Sequence, residues 1–516
     1  MKINNRKANG RLVKKLKLFI FQHAPISLAL TITLAGCGIV PSVGPDYQEP
    51  KMQLPENWEA KVDGDQKIQS AIELATWWKT LGDEKLNWLV EQSLESNREL
   101  EVAKSKVREV RQSRASALGS FFPQIGSSAA YTRTRISEES VQGNLFGGGN
   151  VRGVTLVQDN FNAGFDASWE IDIFGGLRRS YEAADASVQS TQEQLNNVYV
   201  SLISEVARTY FEVRALEKRT SIAKENIDIQ SESRGIVKSR VDAGLSSELD
   251  LAQADTQLEN TKASLPAFQS LGVNARGRLA VLSGRTIQEL EAAFPKEMVG
   301  SDARIAKELP SGILQGVPSE VLRNRPDIRA AERTLAAQTA LVGVATSNLF
   351  PKFTLTGNIG LQSLTSQNFL EASAKTWSFG PSVSLPIFTA GKLLAQLRAQ
   401  NERAEQASSQ YEQTVLAALA EGESTLVAYQ LEKTRNETLK KAHDASLRSL
   451  ALSRELYQKG LADFLSVIEA QRAAFVAEDF LAQSEQDLVS SFIASYKALG
   501  YGWQAIEEVP KAPTSS

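Results

Sequence analysis

The sequence predicts a mixed α/β membrane protein with four bilayer-length β-strands, long α-helical hairpins and an internal duplication. Three observations predict it. Several segments alternate strictly between apolar and polar residues over the length of a tilted membrane strand. Two proline-free stretches are far longer than the helices of globular domains. Matching motifs recur in the two halves of the chain at nearly constant spacing.

The strands come first because they carry the membrane assignment. From Phe161 to Phe174 the odd positions are apolar: Phe161, Ala163, Phe165, Ala167, Trp169, Ile171 and Ile173. The even positions include Asn162, Asp166, Glu170 and Asp172. Phe353–Leu361 and Trp377–Ile387 repeat that alternation, and Gln124–Ile136 carries it most weakly. A tilted strand of about 9–11 residues crosses an outer membrane with its apolar face outward. The same alternation also fits a soluble antiparallel sheet resting one face on a core. Between the first two strands, Glu138–Asn160 contains Gly143, Gly147, Gly148 and Gly149 and reads as a surface loop. Four strands cannot close a barrel, since the smallest membrane barrels need about eight. If these strands span a membrane, several chains must pool them, and spacing alone does not choose how many.

The helices follow from the absence of proline between residues 124 and 265 and between 387 and 509. Leu177–Asp242 and Lys392–Gln458 are each predicted as one helix, roughly 100 Å long at 1.5 Å per residue. Leu195, Val198, Leu202, Val206, Thr209, Val213 and Leu216 follow a heptad-like spacing. Helices beginning near Leu245 and Leu461 are expected to return antiparallel, with Pro266 interrupting or bending the first and Gly500 closing the second. A single helix over Glu84–Leu118 matches one over Asp327–Ser347.

The duplication is read from paired motifs. Phe121-Phe122-Pro123-Gln124 matches Leu349-Phe350-Pro351-Lys352, and Ile173-Phe174-Gly175-Gly176 matches Ile387-Phe388-Thr389-Ala390. Ala243-Gly244-Leu245 matches Lys459-Gly460-Leu461. The predicted division is 1–36 signal peptide, 37–83 lipidated tail, 84–294 first repeat, 295–325 linker, 326–500 second repeat and 501–516 C-terminal tail.

The first segment is a secretory signal. Lys2, Arg6, Lys7, Arg11, Lys14, Lys15 and Lys17 precede a mostly apolar run from Leu18 to Leu34. Leu34-Ala35-Gly36-Cys37 resembles a bacterial lipobox and uses the only cysteine in the chain. A thiol there accepts diacylglycerol, and two or three acyl chains anchor where one does not.

Composition removes other functions. The 516 residues include 42% hydrophobic and 23% charged, with a net charge of −3 and a mean hydropathy of −0.23. No basic footprint for nucleic acid is present. One cysteine excludes an intrachain disulfide. Two histidines, His23 and His443, leave no metal or triad site, and His443 reads as a solvated helix residue. No GxxxxGK[ST], HExxH or GxSxG pattern occurs: Gly391-Lys392 is followed by Leu393. Neither an enzyme nor a cofactor is predicted.

Together, several motifs resemble the outer membrane factors, the TolC-like family. The similarity is to the lipidated, NodT-type subgroup that serves resistance-nodulation-division (RND) pumps. The motifs are the lipobox around Cys37, Val43-Gly44-Pro45-Asp46-Tyr47, Trp77-Trp78, Phe122-Pro123, Trp169 through Gly176, Arg325 through Glu332, and Gly460 through Arg472. They span nearly the whole chain.

The resemblance implies a homotrimer whose strands share a 12-stranded β-barrel in the outer membrane. Its long helices would form a periplasmic α-barrel. It implies a passive exit duct of a tripartite multidrug efflux pump, with a periplasmic adaptor (membrane fusion) protein, an inner membrane RND transporter and outer membrane lipid as partners. Gly244, Leu245, Gly460 and Leu461 match the hairpin tips where the adaptor docks. Glu469 matches the acidic position that constricts the closed periplasmic gate. A second acid of some relatives falls on Ser466 here, with Asp463 as the nearby substitute. Type I secretion or metal efflux would keep the same duct, and a structural periplasmic coiled-coil lipoprotein is the alternative of a different class.

Overall fold

A computed structural model describes residues 42–52, 55–59, 74–135, 157–293, 305, 309, 321 and 324–504. The signal segment, Cys37, most of the 138–160 loop, most of the 295–325 linker and most of the C-terminal tail lie outside the described residues. A short 3-10 helix, Trp77–Leu81, precedes α1 (Glu84–Ser96), α2 (Arg98–Gly119), β1 (Gln124–Arg135) and β2 (Val157–Ile171). Then come α3 (Gly176–Asp242), α4 (Glu248–Leu282), α5 (Ile287–Ala293) and α6 (Pro326–Ser347). The chain continues with β3 (Lys352–Ser363), β4 (Lys375–Ser384), α7 (Lys392–Gln458) and α8 (Phe464–Ala498).

The duplication is preserved element by element. Helices α2 and α6 are 22 residues each, and β1 and β3 are 12 each. Helices α3 and α7 have 67 residues each, and α4 and α8 have 35 each. Left-handed glycines, Gly175 and Gly391 at φ 80° and 81°, directly precede α3 and α7. The structural mate of Gly175 is therefore Gly391, not Thr389 as the motif match has it, because Thr389 and Ala390 are an insertion.

Two expectations are corrected. The helix over Glu84–Leu118 is two helices, α1 and α2, divided at Asn97. Asn97 adopts φ −65°, ψ 129°, its Oδ1 accepts from Leu100 N at 2.9 Å and its Nδ2 donates to Leu282 O at 3.0 Å. Such a local cap competes with helix continuation. Arg325, the repeat mate of Asn97, donates to Ala498 O at 2.9 Å, so both halves clamp the end of their returning helix. The second correction concerns the interruption expected as one outcome at Pro266: α4 runs through it as one helix. His443 also departs from expectation: its side chain is 18% exposed rather than solvated, beside the half-buried Glu478, whose carboxyl partial burial pushes up.

The chain divides into two compact units. One comprises residues 1–48, 112–186 and 336–406 and holds the sheet. In it the tail residue Val43 donates to Phe174 O at 3.0 Å. Arg179 bonds Asp46 at 2.5 Å and Glu182 at 2.8 Å. Gly44, at φ 90°, lies so near Gly343 that a β-carbon would sit 2.4 Å from its Cα. Only glycine satisfies both demands, which explains that residue of the Val43–Tyr47 motif.

The other unit comprises 49–111, 187–335 and 407–516. Its core gathers Trp77, Trp78, Tyr210, Phe211, Phe492 and Tyr496. Trp77 stacks on Tyr496 with centroids 5.5 Å apart. Each such side chain contributes about 1.5–3 kcal/mol by leaving water.

Candidate functional site: the open sheet and the hairpin tips

The four strands form one antiparallel meander in the order β1-β2-β3-β4. Side chains alternate faces along each strand, and the register sorts them. One row runs through Gly126, Asp166, Asn358 and Ser378. The adjacent row, on the opposite face, runs through Ser127, Phe165, Ile359 and Trp377. In the chain by itself Phe165, Ile359 and Trp377 are 62%, 64% and 76% exposed. Among the described residues Phe369 reaches this face only at Phe161, 6.3 Å between ring centroids. Strand β2 begins at Val157, four residues before its apolar series, and β4 ends at Ser384, ahead of Pro386 and Ile387. Both outer strands, β1 and β4, have an unpaired edge among the described residues.

At the far end of each hairpin the two tips are conformational copies. Gly244 and Gly460 adopt φ 72° and 73°. Gly244 N donates to Val241 O at 2.9 Å and Leu245 N to Arg240 O at 2.7 Å. In the second tip, Gly460 N donates to Tyr457 O at 3.0 Å and Leu461 N to Leu456 O at 2.8 Å. This paired pattern closes a helix over a left-handed glycine. It projects Leu245 and Leu461 outward, 70% and 73% exposed.

The caps that restart the chain exchange partners. Ser247 caps α4, its Oγ accepting from Asp250 N at 3.2 Å while Asp250 Oδ2 accepts from Ser247 N at 3.0 Å. Asp463 caps α8, accepting from Ser466 N at 3.0 Å and Ser466 Oγ at 2.6 Å. Asp463 is thus the mate of Ser247, and Ser466 the mate of Asp250. The acid that the second tip lacks at Ser466 stands in the first tip at Asp250. The pattern Ser-x-x-Asp before a helix was the signal for that residue. Beneath both tips lies a small core of Val237, Ala254, Phe464, Val467 and Ile468. Arg240 lies 4.8 Å from the Tyr457 ring centroid.

Glu469 lies on the exposed face of α8 with Leu465 and Ser466, between buried Ile468 and Ala470. The Ser466 hydroxyl and amide hold the Asp463 carboxyl below the usual range, opposed by the like charge of Asp250. The Ser247 amide and Ser246 hydroxyl lower Asp250 likewise. A depressed carboxyl stabilises above its unfolded pKa and loses that contribution as pH falls through its folded pKa. Amide hydrogen exchange at residues 248–251 and 464–467 is therefore expected to accelerate on acidification below the ordinary carboxylate range. Unchanged protection of these amides through that titration would contradict the capping account.

No helix among the described residues is long and apolar enough to cross a membrane. Nor do the described residues bring together three or more His, Cys, Asp or Glu to hold a metal.

An exposed apolar sheet face with two open edges, carried on duplicated helical hairpins, defines a membrane protein of the β-barrel type. The model of the family "Outer membrane efflux protein" matches residues 89–285 and 317–501. The cation efflux system protein CusC of Escherichia coli O6:H1 is 30% identical over 483 residues, 93% of this chain and 98% of that protein. Nodulation protein T of Rhizobium leguminosarum bv. trifolii is 26% identical over 480 residues, 92% and 97% of the two chains. The solved outer-membrane channel OprN aligns with a TM-score of 0.78 at 35% identity, covering 90% of this chain and 99% of its own. The chain belongs to the outer membrane efflux protein family. It is an efflux channel component of the outer membrane that extends into the periplasm.

Proposed function

We propose that three copies of this chain pool their sheets into one 12-stranded barrel and act as the passive exit duct of an RND-type tripartite pump. The observation that carries the reading is a sheet that, among the described residues, has a largely exposed apolar face and two unpaired edges. In lipid, each backbone group left without a partner costs several kcal/mol. Copies that pair edge to edge remove that cost; three is the number the family resemblance implies.

The remaining assignments rest on the same reading. Cys37 carries the acyl chains that hold the tail to the bilayer. The exposed leucines beside Gly244 and Gly460 give a periplasmic adaptor an apolar knob at each tip, with an inner membrane RND transporter supplying the energy. Three Glu469 carboxylates around one axis would favour cations and narrow the closed end. Asp463, committed to its helix cap, is the weaker gate candidate.

The test uses the full chain from cells fed labelled fatty acid and extracted from outer membranes in mild detergent. The protein is expected to carry the label, to run as a heat-resistant oligomer of three chains and to conduct ions in planar bilayers. A monodisperse single chain without conductance would overturn the reading.

A further inference from the structure

The charged residues of the strands are sorted by face and by end. Register places Arg133, Arg135, Asp159 and Lys375 on the apolar face: Arg133 lies opposite Asp159, Arg135 opposite Val157 and Lys375 opposite Leu361. All four stand where β1 ends, β2 begins or β4 begins, at the end of the sheet that carries the strand loops. At the helix end of the same face, Ile171, Phe353 and Val383 carry no charge. The polar face has the reverse arrangement. Its charges, Asp166, Glu170 and Lys352, lie in the middle of β2 or toward the helices. Its loop end is neutral, with Thr134, Gln158, Gln362 and Thr376. A rim charged only for solubility would carry cations on both faces.

Depth agrees with that sorting. From Phe161 to Ile171 strand β2 advances about 33 Å along its axis, or about 25 Å along the membrane normal at a tilt of about 40°. That is the height of the apolar band on an outer membrane barrel, about 25 Å. Tyr131 and Phe161, with ring centroids 4.9 Å apart, mark its loop-side edge, where aromatic residues gather at the interface. The next pair outward is Arg133 and Asp159, about 5 Å beyond the band. The helices extend into the periplasm, so this edge meets the outer leaflet. The glycolipid of that leaflet carries phosphate groups at this depth.

Resting on the barrel reading above, we propose that the loop-end rim of the apolar face binds the phosphorylated glycolipid of the outer leaflet. Arg133, Arg135 and Lys375 meet its phosphates, and Tyr131 and Phe161 meet the start of its acyl chains. Asp159 is a positioning residue. Its Oδ1 accepts from Tyr131 Oη at 2.9 Å and lies 3.6 Å from Arg133 Nε. The Arg133 side chain, held on that edge, stays 66% exposed. Arg135 and Lys375 are exposed and have no carboxylate partner among the described residues.

Charge and geometry choose the lipid over other anions. Three cations against one carboxylate leave the rim of each copy net positive. Guanidinium groups bind phosphate through paired, charge-assisted hydrogen bonds, and a lysine adds a point charge. Basic residues at the edge of an apolar surface are attracted to anionic headgroups. An anion travelling through the pore would meet the polar face instead, whose loop end is neutral. The partner is therefore the surrounding leaflet and not the cargo.

The full-length oligomer in neutral detergent is titrated with lipid A bearing both phosphates and with the same lipid A after dephosphorylation. Native mass spectrometry counts the bound lipid. The phosphorylated form is expected to bind at least about tenfold tighter, and millimolar inorganic phosphate is expected not to displace it. Combining Arg133→Gln, Arg135→Gln and Lys375→Gln should abolish that preference, while Lys352→Gln on the polar face should keep it. Equal binding of the two lipids by the unmodified protein overturns the proposal, whether or not the triple variant assembles. A preference that survives in the triple variant overturns it as well. Displacement by inorganic phosphate, or equal affinity for phosphatidylglycerol, would overturn the assignment to glycolipid. An oligomer that conducts ions yet ignores the phosphates leaves the duct standing; absence of both oligomer and conductance removes the duct reading itself.

Discussion

Asp83→Ala is expected to destabilise the helical unit by about 3–5 kcal/mol, the cost of removing one member of a buried ion pair. Asp83 joins three elements. Its Oδ1 accepts from Lys85 N and Leu86 N at 3.0 and 3.2 Å, which caps α1. Its Oδ2 accepts from Tyr210 Oη at 2.8 Å and Arg214 Nη1 at 2.6 Å, both on α3. The two charged side chains are only 11% and 12% exposed, so solvent does little to screen them. Truncation removes the carboxylate that both the Arg214 guanidinium and the Tyr210 hydroxyl donate to, and it uncaps α1. The midpoint of the far-ultraviolet helical signal in denaturant reports the loss. Asp83→Asn, which keeps an acceptor but no charge, is expected to fall between the two. A wild-type midpoint for Asp83→Ala would show that the ion pair contributes nothing.

Glu469→Ala is expected to raise the closed-state conductance of the purified oligomer and to weaken its preference for cations. A cation 4 Å from one carboxylate in water gains about 1 kcal/mol, so removing the ring lowers selectivity at least about fivefold. Glu469→Asp should retain most of it. Asp463→Asn should leave selectivity near wild type, because the Asp463 carboxylate is engaged by Ser466. Planar-bilayer recordings in a salt gradient distinguish these outcomes. Equal selectivity in wild type and Glu469→Ala would remove this residue from the gate.

The sheet and the hairpins were legible because each rests on a periodic or local signal. Alternation marks Phe161–Ile171 because a strand turns its side chains by half a revolution at each step. The glycines at 244 and 460 mark tips because a left-handed turn tolerates little else. What escaped depends on distant partners. Asn97 ends α1 with a local cap on Leu100 that is held in place by the carbonyl of Leu282, far along the chain. Pro266 looked like a breaker, yet α4 continues through it, with Thr261 and Phe268 buried on either side. Val157–Asn160, polar except for Val157, gave no alternation and joins β2 only because Thr132–Arg135 lie opposite. Neither Asp83 nor Arg179 carries a motif that reveals its partners.

The clasp of Val43, Gly44 and Asp46 on Phe174, Gly343 and Arg179 sets a short leash. Only five residues lie between Cys37 and Val43, so a fully stretched chain allows about 20 Å from the proposed lipidation site to the clasp. The lipid tails would therefore enter the leaflet next to the protein's own wall, within one or two lipid diameters of it. Such a chain would share its motion with the pore rather than drift on a tether.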